Sequence, residues 1–156
     1  MNTNLDLIDG RYRIQSRLGR GGAATVYKVK DETTGETLAL KLFDPAESGS
    51  RGELSALTEL RHASLARLVT VGDDYFTMEH VEGKSLDKVL LPTKSWKEMG
   101  LELLAALQAV HEGGWLHGDL KPAHVVVIPG GKIKLLDFGL ASRERSGFAR
   151  MGGTPG

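Results

Sequence analysis

The chain has 156 residues, of which 40% are hydrophobic and 26% are charged, a composition that predicts a soluble globular protein. Its 20 Lys and Arg residues balance its 20 Asp and Glu residues, so it lacks the basic excess that is typical of nucleic-acid binding proteins. It has no cysteine, which excludes disulfides, thiolate metal sites and a cysteine nucleophile.

The first ten residues, MNTNLDLIDG, lack the basic start and the apolar run of a signal peptide. No apolar run elsewhere approaches the roughly 20 residues that a membrane span needs. We therefore predict a cytoplasmic protein without a membrane span, in which residues 1–10 form an N-terminal tail.

Residues 11–43 are predicted to form three strands. The segments RYRIQSRLG, TVYKVK and ETLALKLF are rich in β-branched and aromatic residues, and turns separate them. Gly19 and Gly21 mark a turn that could lay backbone N–H groups along phosphates, although an ordinary hairpin has the same pattern. A strand follows these glycines, which argues against a dinucleotide-binding fold. No Gly-Lys-Ser/Thr follows either, which excludes a Walker-type loop.

The third strand carries a lysine among apolar residues. With a period of two, Lys41 shares a face with Ala39 and Phe43, and the three leucines of LALKLF share the other face. Taken alone, a lysine between apolar neighbours on a strand indicates that its face of the sheet is exposed to solvent. A carboxylate on a neighbouring helix would give it a partner instead.

The segment ELSALTELRH, residues 53–62, offers such a carboxylate. Its leucines recur at every third position, which predicts a helix that turns Glu53 toward the sheet. Two alternatives stay open, because Glu53 also fits a capping box with Ser50, and Glu59 could replace it as the partner of the strand lysine.

The middle of the chain predicts a further hairpin and a long helix. LARLVTV and YFTMEHV flank the turn GDD. In SWKEMGLELLAALQAVHEGG, Ser95 and Glu98 fit a capping box, and Gly113 and Gly114 end the helix. The apolar stripe of this helix comprises Trp96, Met99, Leu103, Leu107 and Val110.

The last third of the chain contains two short motifs around a hairpin. HGDLKPAH, residues 117–124, precedes the predicted hairpin VVVI-PGG-KIKLL, and Asp137 follows it at the start of DFG. An Asp that ends a buried strand is well placed to hold a divalent cation, whereas an Asp before Gly139 alone would indicate a turn. Residues 141–156 are polar and glycine-rich, without a periodic signal.

The order of these features matches the signature series of protein kinases: a glycine turn, a strand Lys, an inward Glu, HGDLKP and DFG. Over residues 12–155 the sequence resembles the bacterial serine/threonine protein kinases. The resemblance implies an α+β, protein-kinase-like fold with a small antiparallel-sheet N-lobe that carries one helix, and the first part of a mainly helical C-lobe. The implied boundaries are 11–156 for the kinase domain, 11–78 for the N-lobe, 79–84 for the hinge and 85–156 for the partial C-lobe.

The resemblance also implies an ATP site between the lobes. The residues that it assigns to ATP are Leu18, Gly19, Gly21, Val26, Ala39, Lys41, Met78, Glu79, Val81, Val126 and Asp137. Among them, Val26, Ala39 and Val126 would sandwich the adenine, and the backbones of Glu79 and Val81 would bind its edge. A spine that joins the lobes would comprise Leu57, Leu68, His117 and Phe138.

The catalytic roles follow by the same resemblance. Asp119 corresponds to the base that accepts the proton of a substrate hydroxyl, and Lys121 would steady the transferring phosphoryl group. Lys41 would hold the α- and β-phosphates and pair with Glu53, and Asp137 would hold Mg²⁺. The predicted activity is transfer of the γ-phosphoryl group of ATP to a Ser or Thr hydroxyl of a protein substrate.

The sequence departs from the family pattern at three places. Gly118 replaces the Arg that grips a phosphorylated activation loop, so regulation through that contact is not expected. His124 replaces an Asn that helps to bind a second metal, and it offers a nitrogen ligand that suits softer ions such as Mn²⁺. It could instead turn away and bond the loop backbone.

The third departure is that the chain stops at GGTPG, where Thr154 matches a threonine that contacts the catalytic loop, before any Ala-Pro-Glu motif. We therefore expect a fragment of a longer kinase that lacks the substrate platform. The alternative is a nucleotide-binding pseudokinase or regulatory scaffold without transfer activity.

Overall fold

The computed structural model describes residues 7–45, 51–90 and 93–143. A six-stranded antiparallel sheet with the order β1-β2-β3-β4-β6-β5 forms its first half. The strands are β1 (Leu7–Ile8), β2 (Tyr12–Arg20), β3 (Ala24–Asp31), β4 (Thr37–Phe43), β5 (Leu68–Val71) and β6 (Tyr75–Glu79). The three strands predicted within 11–43 and the hairpin around GDD are confirmed. Strand β1 was not predicted; it lies within the predicted N-terminal tail, residues 1–10, and pairs with β2.

Two helices accompany the sheet, α1 (Arg51–Glu59) and α2 (Thr93–Glu112). The predicted end of the first helix at residue 62 was wrong, because Arg61 folds back and donates to the carbonyl oxygens of Leu57 and Leu60 at 2.9 and 2.8 Å. Neither helix in the described ranges is long and apolar enough to cross a lipid bilayer.

Neither of the two predicted capping boxes is confirmed. Ser95 lies inside α2, since that helix begins at Thr93, so the capping box with Glu98 was wrong. Ser50, the other proposed cap, lies outside the described residues.

The apolar stripe of α2 is confirmed in its central part. Met99 and Val110 are buried, and Leu103 and Leu107 pack against the same core. The prediction that Trp96 belongs to the stripe was wrong, because Trp96 lies near the exposed start of the helix and keeps 47% of its surface accessible.

Short strands organise the second half of the chain. They are β7 (Lys84–Ser85), β8 (Trp115–Leu116), β9 (Val125–Val127), β10 (Ile133–Leu135) and β11 (Ser142–Arg143). The β9–β10 hairpin is confirmed, and β7 extends it by pairing with β9. The pairing of β11 with β8 was not predicted, because two residues are too few to show a periodic signal in the polar segment 141–156.

The two faces of the sheet have separate apolar cores. One core joins the sheet to α1, α2 and the β9–β10 hairpin. The other covers the opposite face, where Leu38 and Leu40 are buried with Tyr12 and Tyr75. The predicted period of two in β4 is therefore confirmed, and it leaves Lys41 on the face that looks toward α1.

Candidate active site

A cleft of about 580 Å³ lies between the sheet and the segments around β9 and β10. This volume suits a small organic ligand of nucleotide size. Nine of the residues that sequence reasoning assigned to ATP line it: Leu18, Gly19, Val26, Ala39, Lys41, Met78, Glu79, Val81 and Asp137. Gly21 lines an adjoining cavity of about 620 Å³, which also reaches Asp119.

Val126 is not among the residues that line the cleft, and its place against the adenine stays a prediction. It is 7% exposed, and its Cγ1 lies so close to Gly83 that a Cβ on this glycine would approach it within 2.7 Å. Leu136 and Ala123 line this side of the cleft instead. The alternation along 133–136 could have indicated Leu136, since it falls on the opposite side from the buried Leu135.

Lys41 and Glu53 form an ion pair between β4 and α1. The ammonium of Lys41 donates to Oε2 of Glu53, whose side chain is only 4% exposed. Burial raises the pKa of the Glu53 carboxyl above its usual value, the charge of Lys41 opposes this shift, and Asp137 adds to the rise. The helical period thus indicated the right carboxylate, because Glu59 contacts Trp115 and Arg143 instead of Lys41.

The loop around Asp119 is fixed from below by a buried histidine. The backbone N–H of Asp119 donates to Nδ1 of His117 at 3.2 Å, so Nε2 of this ring carries the hydrogen and donates to the carbonyl of Leu136 at 2.9 Å. The same ring packs edge-on against Phe138, with 4.8 Å between the centroids. Lys121 places its Nζ 3.5 Å from Oδ2 of Asp119.

At position 118, where the family pattern has an Arg, the backbone conformation and the close approach of Leu140 favour glycine. The φ of Gly118 is +80°, and a Cβ there would lie 2.4 Å from the carbonyl oxygen of Leu140. No other residue fits this position without moving the segment after Asp137. Asp137 itself has a φ of +60°, and its Oδ1 accepts the N–H of Gly139 at 3.0 Å.

His124 bonds the loop backbone and faces Asp137 at the same time. Its Nδ1 lies 2.9 Å from the carbonyl oxygen of Asp119, and its Nε2 lies 3.1 Å from Oδ2 of Asp137. A carbonyl oxygen only accepts hydrogen bonds, so Nδ1 carries a hydrogen, and Nε2 is the ring nitrogen that faces the carboxylate. A proton or a cation between Nε2 and Oδ2 would hold the two atoms together.

The same corner of the cleft could hold a divalent cation. One ligand atom each from Asp119, His124 and Asp137 lies within 4.8 Å of the others. Two carboxylates suit Mg²⁺, and the imidazole nitrogen shifts the set toward ions of the Mn²⁺ type. These residues therefore fit the metal that the resemblance implies.

The hinge segment lines the cleft and is held by neighbouring segments at Glu79. The backbone N–H of Glu79 already donates to the carbonyl of Arg67 at 2.8 Å, so this N–H cannot bind an adenine edge. Its carboxylate accepts from Nζ of Lys134 at 3.0 Å, which ties the hinge to β10. Sequence reasoning did not single out His80 and Lys28 at the cleft, although Lys28 lies two residues after Val26 and so shares its face of β3.

Comparison with known proteins agrees with this geometry. Residues 12–155 match the family that is described as the protein kinase domain. A probable serine/threonine-protein kinase of Streptomyces coelicolor is 33% identical over 155 residues, which cover 86% of this chain and 23% of that protein. Probable serine/threonine-protein kinase PknB of Lactococcus lactis is 34% identical over 84% of this chain and 24% of its own length. Serine/threonine-protein kinase PknL of Mycobacterium tuberculosis is 31% identical over 86% of this chain and 38% of its own length. The chain thus spans about a quarter to two fifths of these relatives.

Proposed function

Because the chain belongs to the protein kinase domain family, we propose that it forms the ATP-binding and catalytic cleft of a serine/threonine protein kinase. The reaction is transfer of the γ-phosphoryl group of ATP to a Ser or Thr hydroxyl of a protein substrate. The observation that carries the proposal is that one cleft brings the Lys41–Glu53 ion pair together with Asp137 and, through the adjoining cavity, with Asp119.

The cleft divides into an apolar end and a charged end. Val26, Ala39 and Met78 give the apolar walls that an adenine ring needs. Lys41 supplies a positive charge for phosphate oxygens, and Glu53 fixes the direction of its ammonium group. A bound Mg²⁺ would neutralise phosphate charge, with Asp137 as its carboxylate ligand.

The other side of the charged end offers the groups for proton transfer. Asp119 has a partly exposed carboxylate that can accept a hydrogen bond from a substrate hydroxyl and take its proton. Lys121, beside it, can balance the negative charge of the transferring group. The bond from the γ-phosphorus to the bridging oxygen of ATP breaks as the bond to the Ser or Thr oxygen forms, so the products are ADP and a phosphorylated Ser or Thr, with the proton on the carboxyl of Asp119.

We also keep the division of the chain into an N-lobe at 11–78, a hinge at 79–84 and a C-lobe part from 85 onward. The end of β6 at Glu79 and the start of β7 at Lys84 support these limits. The cytoplasmic location and the absence of nucleic-acid binding stay predictions from composition.

The direct test is phosphoryl transfer by the full-length protein. We expect γ-labelled ATP with Mg²⁺ or Mn²⁺ to label a generic basic protein, and acid hydrolysis of that protein to release phosphoserine or phosphothreonine. The control omits the metal ion, which should remove the label. Nucleotide binding without any labelled product would favour the pseudokinase alternative.

His124 leads to a prediction about metal preference. If Nε2 of His124 joins Asp137 in holding the ion, His124→Asn replaces a nitrogen ligand with an oxygen ligand. We expect the variant to favour Mg²⁺ over Mn²⁺ by about tenfold more than the natural protein does, since ligand changes of this kind alter metal affinity by about 10- to 100-fold. Titration of a fluorescent ATP analogue with each metal measures the preference without relying on turnover.

The matched control is His111→Asn, which changes an exposed histidine in the last turn of α2. It should leave the metal preference unchanged. Equal preference in the natural protein and in His124→Asn would show that His124 serves the loop backbone only.

A further inference from the structure

The segment that follows Asp137 is tied to α1 through three side chains, which we call the Glu59 clamp: Glu59, Trp115 and Arg143. Arg143 donates from Nη2 to Oε1 of Glu59 at 2.5 Å, and the indole N–H of Trp115 donates to Oε2 of the same carboxylate at 2.9 Å. The guanidinium of Arg143 also lies over the Trp115 ring, with 4.4 Å from Cζ to the centroid. Both carboxylate oxygens are thus in use.

The clamp connects α1, which carries Glu53, with segments that adjoin Asp119 and Asp137 in the chain. Glu59 ends α1, the helix of Glu53. Trp115 begins β8, which leads directly into the loop of Asp119. Arg143 lies in β11, six residues after Asp137, and its backbone pairs with that of Trp115. A movement of any one element therefore changes the contacts of the other two.

The position of Glu59 on α1 explains how the clamp acts on Glu53. Six residues separate the two carboxylates, which places them about 9 Å apart along the helix and about 120° apart around it. The apolar residues of α1 pack its inner face against the core, which turns Glu53 toward the sheet. Glu59 adds a polar attachment on another side of the helix, in its last turn.

The first turn of α1 also lies close to the segment after Asp137. A Cβ on Gly52 would approach the carbonyl oxygen of Ala141 within 2.9 Å. The segment 141–143 therefore follows α1 from its first turn to its last, and Arg143 is its charged attachment at the far end.

We infer that Arg143 is a positioning residue, which holds α1 through Glu59 and Trp115 in the orientation that presents Glu53 to Lys41. The inference rests on the proposed kinase function for its consequence, but the coupling itself is a property of the fold. Arg143 and Glu59 keep 58% and 41% of their side-chain surfaces accessible, so this pair adds little to stability and can still set an orientation.

Turnover and stability should therefore respond differently to Arg143→Ala. We expect kcat to fall about tenfold or more, since small displacements of positioned groups cost up to about a hundredfold, while the melting temperature changes by at most about 3 °C. The matched control is Arg13→Ala, which breaks another exposed Arg–Glu pair, with Glu32 at 2.7 Å. It should leave both quantities unchanged.

A double-mutant cycle tests whether Arg143 acts through Glu53. In a Glu53→Ala background, Arg143→Ala should cause little further loss of kcat, because residue 53 can no longer contact Lys41. Fully multiplicative effects of the two substitutions would overturn the inference, and so would an equal loss of kcat in Arg13→Ala.

Trp115 gives a second readout that does not need activity. The chain has two tryptophans, so Trp115 is the only one left in a Trp96→Phe background. We expect Arg143→Ala and also the distant Glu53→Gln to shift its emission, since coupling is reciprocal. Unchanged emission in Glu53→Gln would overturn the coupling. If the natural protein transfers no phosphate while both variants show the emission shift, the proposed function is contradicted and the coupling stands.

Discussion

Asp119→Asn is expected to abolish phosphoryl transfer while nucleotide binding survives. The amide keeps the shape of the carboxylate but cannot take up the proton of a substrate hydroxyl, and loss of a general base costs about 10²- to 10⁴-fold in rate. The fold should be unaffected, because the contact that fixes the loop runs from the backbone N–H of Asp119 to His117. Measurement of kcat at saturating ATP, together with titration of the nucleotide, separates the two effects.

A suitable control is Asp87→Asn, an exposed acid in the short helical turn at 86–88. It removes the same charge from the same half of the chain and should leave kcat and nucleotide affinity unchanged. Near-normal kcat in Asp119→Asn would exclude the role of base and also any role that needs the negative charge of Asp119.

The site residues that the sequence predicted correctly lie in elements whose repeating apolar pattern fixes the direction of the side chains. Alternation in β4 placed Lys41 opposite the leucines, and the threefold spacing in α1 turned Glu53 inward. Both patterns extend over at least two turns or several strand positions. Packing against a core therefore preserves them, and the ion pair forms where the two directions meet.

The parts that the sequence could not predict depend on contacts between distant residues. Glu59 lies 56 residues from Trp115 and 84 residues from Arg143, and no pattern within either element relates them. The surroundings of Val126 are a similar case, because Gly83 approaches it from another segment. The need for glycine at 118 likewise follows in part from the path of Leu140, in addition to the positive φ of the loop.

Lys41→Met is expected to remove phosphoryl transfer and to weaken nucleotide binding. Methionine keeps the length of the apolar stem but removes the ammonium that faces phosphate oxygens, and loss of one such charged contact costs about 10²- to 10³-fold. It also leaves Glu53 buried without its partner, and removal of one member of a buried pair destabilises a protein by about 3 kcal/mol. Activity and urea denaturation measured on the same preparation report the two consequences.

The double variant Lys41→Met/Glu53→Gln separates the chemical consequence from the folding consequence. Because burial already raises the pKa of Glu53, the neutral glutamine should fit the site and recover most of the lost stability. Transfer should stay absent, since the phosphate contact is not restored. A double variant that regains both stability and transfer would show that Lys41 only neutralises Glu53, and the catalytic cation would then have to be sought elsewhere in the cleft.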